Sequence, residues 1–431
     1  MRDFLPADKA RRERVLAVIR ERYRAHGFDE IETPVMEEYG RLHAGIGGDN
    51  EKLAYNILKR GLDAETVRAA AGDPAAVDIA ALADLGLRYD LTVPLARFYA
   101  THRGVLPTVF RAIQIAPVWR AERPQKGRYR QFVQCDIDII GDDSARAEAE
   151  LIAATLDTLD ALGLEGGSVR INDRRALDFL LDTFGFPAEE RPGVLITIDK
   201  LDKIGPDGVV AELAERGGTP DAVEAFRAFL RRPQTLEYNP YGERQVRKAL
   251  PEEVPDEIVA HLVGIGEAVA AARPSSGAGA DGAGGVPLVF DPFLVRGMGY
   301  YTGTIFELAH PSVDYSLGGG GRYDGMIGRF LGQQVPAVGF SIGFERIVDL
   351  VADQEQDAAA SVVLVHDADV PGAELLALKG ALVADGARVR LERRTKNLKA
   401  LLERAAADGY TAFATVSPGT TRPDLEIKPL S

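Results

Sequence analysis

One short segment of this chain concentrates basic side chains that could bind an anion. It reads WRAERPQKGRYRQF at residues 119–132, and its cations are Arg120, Arg123, Lys126, Arg128 and Arg130, with Glu122 among them. Guanidinium groups have forked N–H donors that match phosphate or carboxylate oxygens. A solvated loop is the usual explanation of such a cluster. Here Pro124 and Gly127 predict a shaped turn, and Arg120 falls at the end of a predicted strand.

The segment after the turn, FVQCDIDII, alternates in polarity with a period of two, which is typical of a strand. Gln134, Asp136 and Asp138 share one face, and the intervening residues are apolar. A polar face of this kind either meets water or lines a pocket. Carboxylates beside fixed cations suit a substrate that carries both charges, such as an amino acid together with a nucleotide phosphate.

Two further segments have candidate ligand-binding features. SLGGGGRYDGM contains Gly318 to Gly321, whose spacing matches neither a phosphate-binding loop nor a dinucleotide fold. The four glycines predict a loop, or a place where a flat ligand approaches the backbone. FSIGFERIVDLV predicts a strand entering a helix with Arg346 in its first turn. That arginine either binds a phosphate at the helix end or pairs with Glu345 or Asp349 on the surface.

VRGMGYYTG places Arg296 near the adjacent Tyr300 and Tyr301, although a buried tyrosine often needs only one hydrogen-bond partner. The histidines and the single Cys135 are not spaced as zinc ligands, and no Ser-His-Asp arrangement is evident. A protein metal cage is therefore not expected. Magnesium carried by a nucleotide remains compatible with the sequence.

Composition limits the class of protein. The 431 residues include 51 Lys plus Arg and 65 Asp plus Glu, and the net charge of -14 argues against attraction of nucleic acid to the whole surface. Cys135 has no intrachain partner, which favours a reducing, cytoplasmic location. No apolar run approaches the ~18 residues that suggest a membrane span, and the N-terminus lacks the apolar centre of a secretion signal.

The candidate residues must be positioned by regular elements. Residues 8–26 and 145–162 predict helices, and residues 109–120 predict the first arm of a hairpin that returns through FVQCDIDII. LRYDLTVPLARF at residues 87–98 alternates and predicts a half-polar strand, whereas residues 62–86 are Ala-rich and irregular. FDEIETPVME predicts a strand interrupted by Pro34.

Together these segments resemble histidyl-tRNA synthetase, a family of class II aminoacyl-tRNA synthetases. The resemblance depends on IETPVME, LRYDLTVP, VFRAIQIAPVWRAERPQKGRYRQFVQCDIDIIG, VRGMGYYTGTIFE, GGGGRYDG and PAVGFSIGFERI, which occur in this order over nearly the whole chain. It implies an α+β fold, in which a class II synthetase-like antiparallel sheet has flanking helices, an inserted mostly helical region and a small C-terminal α/β domain.

The expected domains follow from the resemblance and from composition breaks. Residues 1–164 and 286–351 would form two parts of the catalytic core, and residues 165–285 the inserted region with its Gly/Ala/Ser-rich linker. Residues 361–431 predict alternating β-α-β-α-β elements, as in an anticodon-binding domain.

The implied activity is that of a histidine–tRNA ligase. Such an enzyme activates L-histidine with ATP to histidyl-adenylate and transfers the histidyl group to tRNA(His). The implied cofactors are ATP and the Mg²⁺ that ATP carries. The implied partner is a second copy of the chain in a cytoplasmic homodimer, with IETPVME at the subunit interface.

The resemblance also assigns roles to individual residues. The ATP-binding set is Arg120, Glu122, Arg128 and Arg346, and the histidine-binding set is Asp90, Thr92, Gln134, Asp138, Arg296, Tyr300, Tyr301 and Tyr323. The implied catalytic residues are Arg120, which grips the α-phosphate, and Arg296, which stabilises charge during attack. Within the histidine set, Asp90, Thr92 and Gln134 are implied for the α-amino group, and Asp138 and Tyr301 for the imidazole.

A basic cluster in the last segment predicts tRNA contact. Six of the ten Lys and Arg residues in 361–431 lie between Arg388 and Lys399, and Arg393, Arg394 and Lys396 are the candidate tRNA-binding residues. The chain departs from the family pattern at three places. Gly299 stands where the family often has Asp, Asp138 where many members have Glu, and the C-terminal domain is shorter than in a typical member.

Two alternatives remain open from the sequence. The regulatory subunit of ATP-phosphoribosyltransferase is similar to this family and binds histidine without making an adenylate. The presence of Arg120, Arg296 and Arg346 favours the enzyme over that subunit. The other alternative is a ligase that activates histidine for an acceptor other than tRNA.

Overall fold

The computed structural model describes residues 2–43, 53–72, 77–123, 127–231, 242–273, 285–296, 300–351 and 361–430. The chain forms two compact units. The larger contains Met1–Arg2 and Val15–Ala352, and the smaller contains Asp3–Arg14 and Asp353–Ser431.

Helices and strands are numbered in chain order. The helices up to residue 351 are α1 (Pro6–Ala25), α2 (Tyr39–Leu42), α3 (Ala64–Ala70), α4 (Ile79–Leu82), α5 (Thr92–His102), α6 (Ala145–Ala161), α7 (Arg174–Thr183), α8 (Arg191–Ile198), α9 (Leu201–Glu215), α10 (Pro220–Leu230), α11 (Glu243–Ala249), α12 (Asp256–Ala272), α13 (Asp324–Leu331) and α14 (Phe344–Ile347). The strands of the same part are β1 (Asp29–Glu30), β2 (Met36–Glu38), β3 (Tyr55–Leu58), β4 (Ala83–Leu87), β5 (Phe110–Trp119), β6 (Gln131–Ile140), β7 (Ser168–Asp173), β8 (Leu288–Phe290), β9 (Thr304–Ala309), β10 (Gly318–Arg322) and β11 (Ala337–Gly343).

The central sheet has the strand order β1-β5-β6-β11-β10-β9-β7-β8. Its pairs are antiparallel except β1 with β5 and β7 with β8. The predicted hairpin is present as β5 and β6, which pair from Phe110 opposite Ile140 to Trp119 opposite Gln131. The α+β class with a mainly antiparallel sheet and flanking helices is thereby confirmed.

The alternation in β6 separates its two faces. Cys135, Ile137 and Ile139 are fully buried in a core shared with α6 and α12. Their burial removes apolar surface from water, which favours this orientation of the strand over one shifted by a residue. The opposite face therefore presents Gln134, Asp136 and Asp138 away from that core.

The strand predicted for residues 87–98 is wrong over most of its length, because β4 ends at Leu87 and α5 begins at Thr92. Asp90 Oδ1 accepts a hydrogen bond from the Val93 N–H at 3.1 Å, which satisfies a donor of the first helical turn. Pro94 lies in the same turn, where its missing N–H costs no helical hydrogen bond. Alternation over a few residues could not reveal these local interactions.

Residues 62–86, expected to be irregular, contain α3 and α4 and lead into β4. Asp63 and Asp78 accept hydrogen bonds from the Thr66 and Ala81 N–H groups and so cap the two helices. Residues 73–76 lie outside the described part. The predicted strand around Pro34 is divided into β1 and β2, and β2 belongs to a separate sheet of order β2-β4-β3.

The range predicted as an inserted helical region is divided between two cores. It also contains β7, which pairs with β8 and β9 in the central sheet. Apolar side chains of α7, α8, α9 and α10 pack in one core with α5, whereas α12 packs on α6. The predicted linker residues 274–284 lie outside the described residues, and the domain boundaries stay a prediction.

The smaller unit has the predicted alternating order in residues 361–416. Its elements are β12 (Ser361–His366), α15 (Gly372–Ala384), β13 (Arg388–Arg393), α16 (Leu398–Ala407), β14 (Ala412–Val416) and β15 (Lys428–Pro429). The sheet order is β13-β12-β14-β15, with β12 parallel to both neighbours. The apolar run VVLV lies in β12, an inner strand of this sheet. That strand is buried on both faces, so apolar residues occupy successive positions and do not alternate with polar ones.

Candidate functional site

A cavity of about 250 Å³ opens on the polar face of the central sheet. The predicted small-molecule residues that line it are Asp90, Thr92, Arg120, Glu122, Arg128, Gln134, Asp138, Arg296, Tyr300, Tyr301, Tyr323 and Arg346. Arg393, Arg394 and Lys396 belong to the smaller unit. Pro124, Lys126 and Gly299 lie outside the described residues, so the prediction about Gly299 is not addressed.

The central sheet aligns the polar side chains of β6 with small residues on β11. Asp138 lies opposite Gly339, and Asp136 lies opposite Ser341. A Cβ atom on Gly339 would come within 2.0 Å of Asp138 Oδ1, so glycine is needed to leave room for the carboxylate. The Tyr323 hydroxyl donates a hydrogen bond to the same oxygen at 2.6 Å, which fixes the Asp138 side chain.

Burial makes the carboxylates at this end of the cavity easier to protonate. It raises the pKa of Asp138 to about 7, although the Tyr323 hydrogen bond opposes the shift. Burial likewise raises the pKa of Asp90 to about 6, against the hydrogen bond from Val93. The pKa of Asp136 lies well above its usual range because of burial and the nearby Asp138 charge.

The cavity also has a cationic part, the arginine end, from which Arg120 favours the ionised forms of Asp90 and Asp136. Arg120 donates to the Tyr89 carbonyl at 2.9 Å and lies over the Phe132 ring at 5.1 Å, whereas Arg128 lies 3.6 Å from Glu122. Burial, followed by repulsion from Arg128 and Arg120, lowers the pKa of Arg346. Repelling guanidinium groups at one end of a cavity make a site for a polyanion such as a triphosphate.

The structure favours a cavity position for Arg346 over the surface ion pair that the sequence left open. Its guanidinium donates to the carbonyl oxygens of Gly127, at 2.8 Å, and Ser316. Glu345 pairs instead with Arg2 at 3.1 Å and accepts from the Val133 N–H. Arg346 is therefore held against the turn that carries Arg128, facing the cavity.

Arg296 also lines the cavity and is held by side chains that the sequence did not identify. Its Nη1 donates to Glu307 Oε2 at 2.8 Å and to Ser316 Oγ at 3.4 Å. Burial disfavours its charge, but Glu307 and the two neighbouring tyrosines outweigh burial and raise the Arg296 pKa. Glu307 was hidden in the apolar strand segment TIFEL, where no sequence pattern indicates that it reaches this arginine.

Gly318 to Gly321 form β10 in the sheet, so the loop predicted as one explanation is wrong. A Cβ on Gly319 would lie 2.7 Å from Arg296 Cζ, and one on Gly320 would lie 1.9 Å from the Gly339 carbonyl oxygen. A Cβ on Gly321 would lie 2.9 Å from the Tyr301 ring. The glycines therefore allow side chains and the next strand to approach the backbone.

Asp136, Ser341 and Glu345 also line the cavity, although the sequence did not place them among the site residues. Asp136 was recognisable from the alternation of β6, but nothing in the sequence indicated what it would contact. Among the residues that the structure describes, no three His, Cys, Asp or Glu side chains are grouped so that they could hold a metal ion.

The raised carboxylate pKa values predict that Asp138→Asn reduces the loss of stability with rising pH. Folded Asp138 has a pKa of about 7, whereas an unfolded Asp has one of about 3.9. The native state therefore binds more protons between these values, and its free energy of unfolding falls as pH rises through this window. Melting temperatures measured from pH 5 to 8 should fall less steeply for Asp138→Asn than for wild type.

The exposed Asp143 provides the control, since Asp143→Asn makes the same chemical change outside the cavity. It should retain the wild-type pH dependence. Identical slopes of melting temperature against pH for Asp138→Asn and wild type would show that Asp138 does not cause the loss of stability with rising pH.

Comparison with known proteins gives a consistent result. A family model for histidyl-tRNA synthetase matches residues 75–347. The chain is 57% identical to a histidine–tRNA ligase of Leifsonia xyli subsp. xyli, covering 100% of this chain and 97% of the relative. It is 40% identical to a probable histidine–tRNA ligase of Tropheryma whipplei (strain Twist), covering 100% of this chain and 98% of the relative.

Solved structures are similar in fold. A histidyl-tRNA synthetase from Nostoc sp. PCC 7120 superposes with a TM-score of 0.75 at 24% identity, covering 100% of this chain and 93% of that one. An ATP phosphoribosyltransferase regulatory subunit/histidyl-tRNA synthetase from Bacillus halodurans C gives a TM-score of 0.72 at 21% identity, covering 98% and 97%. No helix in the described part of the chain is long and apolar enough to cross a membrane.

Proposed function

Because this chain belongs to the histidyl-tRNA synthetase family, we propose that it activates L-histidine with ATP to histidyl-adenylate and transfers the histidyl group to tRNA(His). It is an aminoacyl-tRNA ligase. The observation that carries the proposal is the division of one cavity into an end with buried carboxylates and an end with repelling arginines. A zwitterionic amino acid and a triphosphate need these two environments side by side.

The carboxylate end is the proposed histidine site. Asp90, Thr92 and Gln134 would bind the α-ammonium group, for which their oxygen atoms provide acceptors. Asp138 and Tyr301 would bind the imidazole. The hydrogen bond from Tyr323 to Asp138 supports this role, because it holds one carboxylate oxygen and leaves the other for a ligand. Tyr300 completes the aromatic wall, with its ring centroid 4.7 Å from that of Tyr301.

The arginine end is the proposed ATP site. Arg120 would bind the α-phosphate, Arg346 the γ-phosphate, and Glu122 with Arg128 would position adenine and phosphates. The support is electrostatic, since Arg128 and Arg120 both repel the Arg346 charge. A bound polyanion removes that repulsion.

In the activation step, an oxygen of the histidine carboxylate attacks the α-phosphorus of ATP. The bond between the carboxylate oxygen and the α-phosphorus forms as the bond from the α-phosphorus to pyrophosphate breaks. Pyrophosphate takes the electron pair of the broken bond. Arg120 and Arg296 would stabilise the charge on the α-phosphate oxygens during this displacement. In the second step a hydroxyl oxygen of the tRNA attacks the histidyl carbonyl carbon. An ester bond forms, the hydroxyl proton is released, and the bond to AMP breaks so that AMP leaves.

Magnesium would enter with ATP and neutralise phosphate charge when bound. The described residues offer the carboxylates of Glu122 and Glu345 beside the arginines. Most of the ion's ligands would then come from phosphate oxygens and water, as Mg²⁺ prefers.

We also propose a cytoplasmic homodimer, in which the segment around Pro34 contributes to the interface. The exposed Val35 and Met36 support that surface, since large apolar side chains there lie open to solvent.

The alternatives from the sequence are not favoured. The relatives that match over the whole chain are named ligases, and the likeness to the Bacillus halodurans C protein extends only to the fold. No observation supports an acceptor other than tRNA.

Histidine-dependent exchange of radiolabelled pyrophosphate into ATP tests the activation step, and charging of total tRNA tests the transfer. We expect exchange with L-histidine and with no other standard amino acid, because only histidine presents an imidazole to Asp138. Exchange with a different amino acid would refute the histidine assignment. Absence of exchange with all twenty would favour the non-catalytic regulatory role.

A further inference from the structure

Two buried oxygen atoms, on residues that line the cavity, have no hydrogen-bond partner within the described part of the protein. They are Gln134 Oε1 and Asp136 Oδ1, on side chains whose residues are 8% and 4% exposed. An acceptor that is removed from water and left unpaired destabilises the folded protein. Two such atoms on the same face of β6 indicate that a bound ligand supplies the missing donors.

Ser341 links the two side chains. Its hydroxyl oxygen accepts a hydrogen bond from Gln134 Nε2 at 2.9 Å, and the hydroxyl also hydrogen-bonds the Asp136 carboxylate. Because Ser341 lies directly across from Asp136 on β11, the link is built into the register of the sheet. The connection orients Gln134 and Asp136 and leaves one acceptor of each unpaired.

The charges around Asp136 favour a cationic donor. The Asp138 and Asp90 charges disfavour ionisation of Asp136, whereas Arg120 favours it. Three carboxylates therefore share this end of the cavity. A ligand that brings a positive charge lowers the free energy of all three ionised groups, whereas a neutral donor satisfies only hydrogen bonds.

A primary ammonium group matches these acceptors better than an imidazole does. An ammonium nitrogen has three N–H donors, so it can serve both unpaired atoms and still offer one N–H to Asp90 or Thr92. Each imidazole nitrogen has at most one N–H, and Asp138, already fixed by Tyr323, offers an acceptor for it two residues further along β6.

We propose that Asp136 is a further substrate-binding carboxylate, which accepts a hydrogen bond from the α-ammonium group of histidine together with Gln134. This inference rests on the proposed function, because it takes histidine as the occupant of the carboxylate end. It gives Asp136 a direct contact with substrate and makes Ser341 the positioning residue that aims it.

The test is Asp136→Asn, assayed with ligands that differ in one group. L-Histidine and L-histidinol keep the ammonium group, whereas imidazole-4-propionate lacks it. Affinities are measured by titration calorimetry, or for the weaker ligands by inhibition of pyrophosphate exchange. Loss of the charged acceptor should weaken histidine and histidinol by about ten- to a hundredfold. Imidazole-4-propionate and ATP should bind as they do to wild type.

Ser341→Ala tests the positioning role. It should weaken histidine and histidinol to a smaller degree and in the same ligand-dependent way, because Asp136 and Gln134 remain but are no longer linked. Asp143→Asn is the matched control and should change no affinity. Retained ATP affinity in each variant shows that the cavity is folded.

Three results would overturn the proposal. They are unchanged histidine affinity in Asp136→Asn, equal weakening of imidazole-4-propionate and histidine, and a loss of ATP binding along with histidine binding. Failure of the proposed function is a separate result, since it requires that wild type itself shows no histidine-dependent exchange.

Discussion

Arg296→Ala is expected to slow formation of the histidyl-adenylate about a hundredfold or more, which corresponds to roughly 3 kcal/mol of transition-state stabilisation. The affinity for ATP should change far less. The measurement is single-turnover adenylate formation at saturating ATP and histidine, with ATP affinity determined separately by titration.

The geometry of Arg296 is the reason for this expectation. One edge of its guanidinium is held by Glu307 and Ser316, whereas its buried Nε atom has no hydrogen-bond partner among the described residues. A fixed cation with an unused donor that lines the cavity can stabilise charge without reorganising during the reaction. Alanine removes that charge, and water admitted in its place must reorient.

Two further variants make the result specific. Arg296→Lys keeps the charge but not the forked donors, so it should recover only part of the rate. Glu307→Gln keeps Arg296 and should lower the rate less, since it removes only the negative charge of the partner that holds the guanidinium. A single-turnover rate in Arg296→Ala close to that of wild type would mean that this arginine has been given the wrong role.

The second large effect is expected on tRNA binding, when Arg393, Arg394 and Lys396 are replaced together by alanine. All three side chains are exposed in the smaller unit. Each phosphate contact releases condensed counterions, so losing three contacts should lower the slope of log affinity against log salt by about 2 for single-stranded RNA. We expect weaker tRNA binding at low salt and a flatter salt dependence, with pyrophosphate exchange unchanged.

The structure refines the electrostatics of this basic cluster. From the sequence, only Glu392 opposed the six cations between Arg388 and Lys399. In the folded unit, Arg394 also pairs with Asp367 at 3.1 Å, and Arg390 with Asp408. The contribution of Arg394 should therefore be smaller than those of Arg393 and Lys396, which single variants would reveal.

A control for the loss of charge is available in the same unit. The triple variant Arg404→Ala, Arg422→Ala and Lys428→Ala removes three positive charges outside the cluster and should leave most of the tRNA affinity. Unchanged affinity and salt slope in the first triple variant, or equal losses in both, would exclude residues 393–396 as the RNA surface.

Several features of this protein are encoded in local sequence patterns. The alternation of β6 is encoded locally, because burying Cys135, Ile137 and Ile139 requires that Gln134, Asp136 and Asp138 face the other way. The order of elements in residues 361–416 was likewise readable from apolar periodicity. The candidate ATP-binding and histidine-binding residues were predicted from sequence segments that resemble one family.

How these residues meet depends on contacts between segments that are distant in the chain. The glycines of β10 suggested a loop, yet they form a strand. Glycine is needed there because Arg296, Tyr301 and β11 fill the space that side chains would occupy. The start of α5 depends on a hydrogen bond from the Val93 N–H to Asp90, and Glu307 reaches Arg296 only because the fold brings residues 296 and 307 to one cavity. Close approaches of this kind join distant segments, so they leave no periodic signal in the chain. For the same reason, the unpaired oxygens of Gln134 and Asp136 became visible only after the sheet had removed them from water.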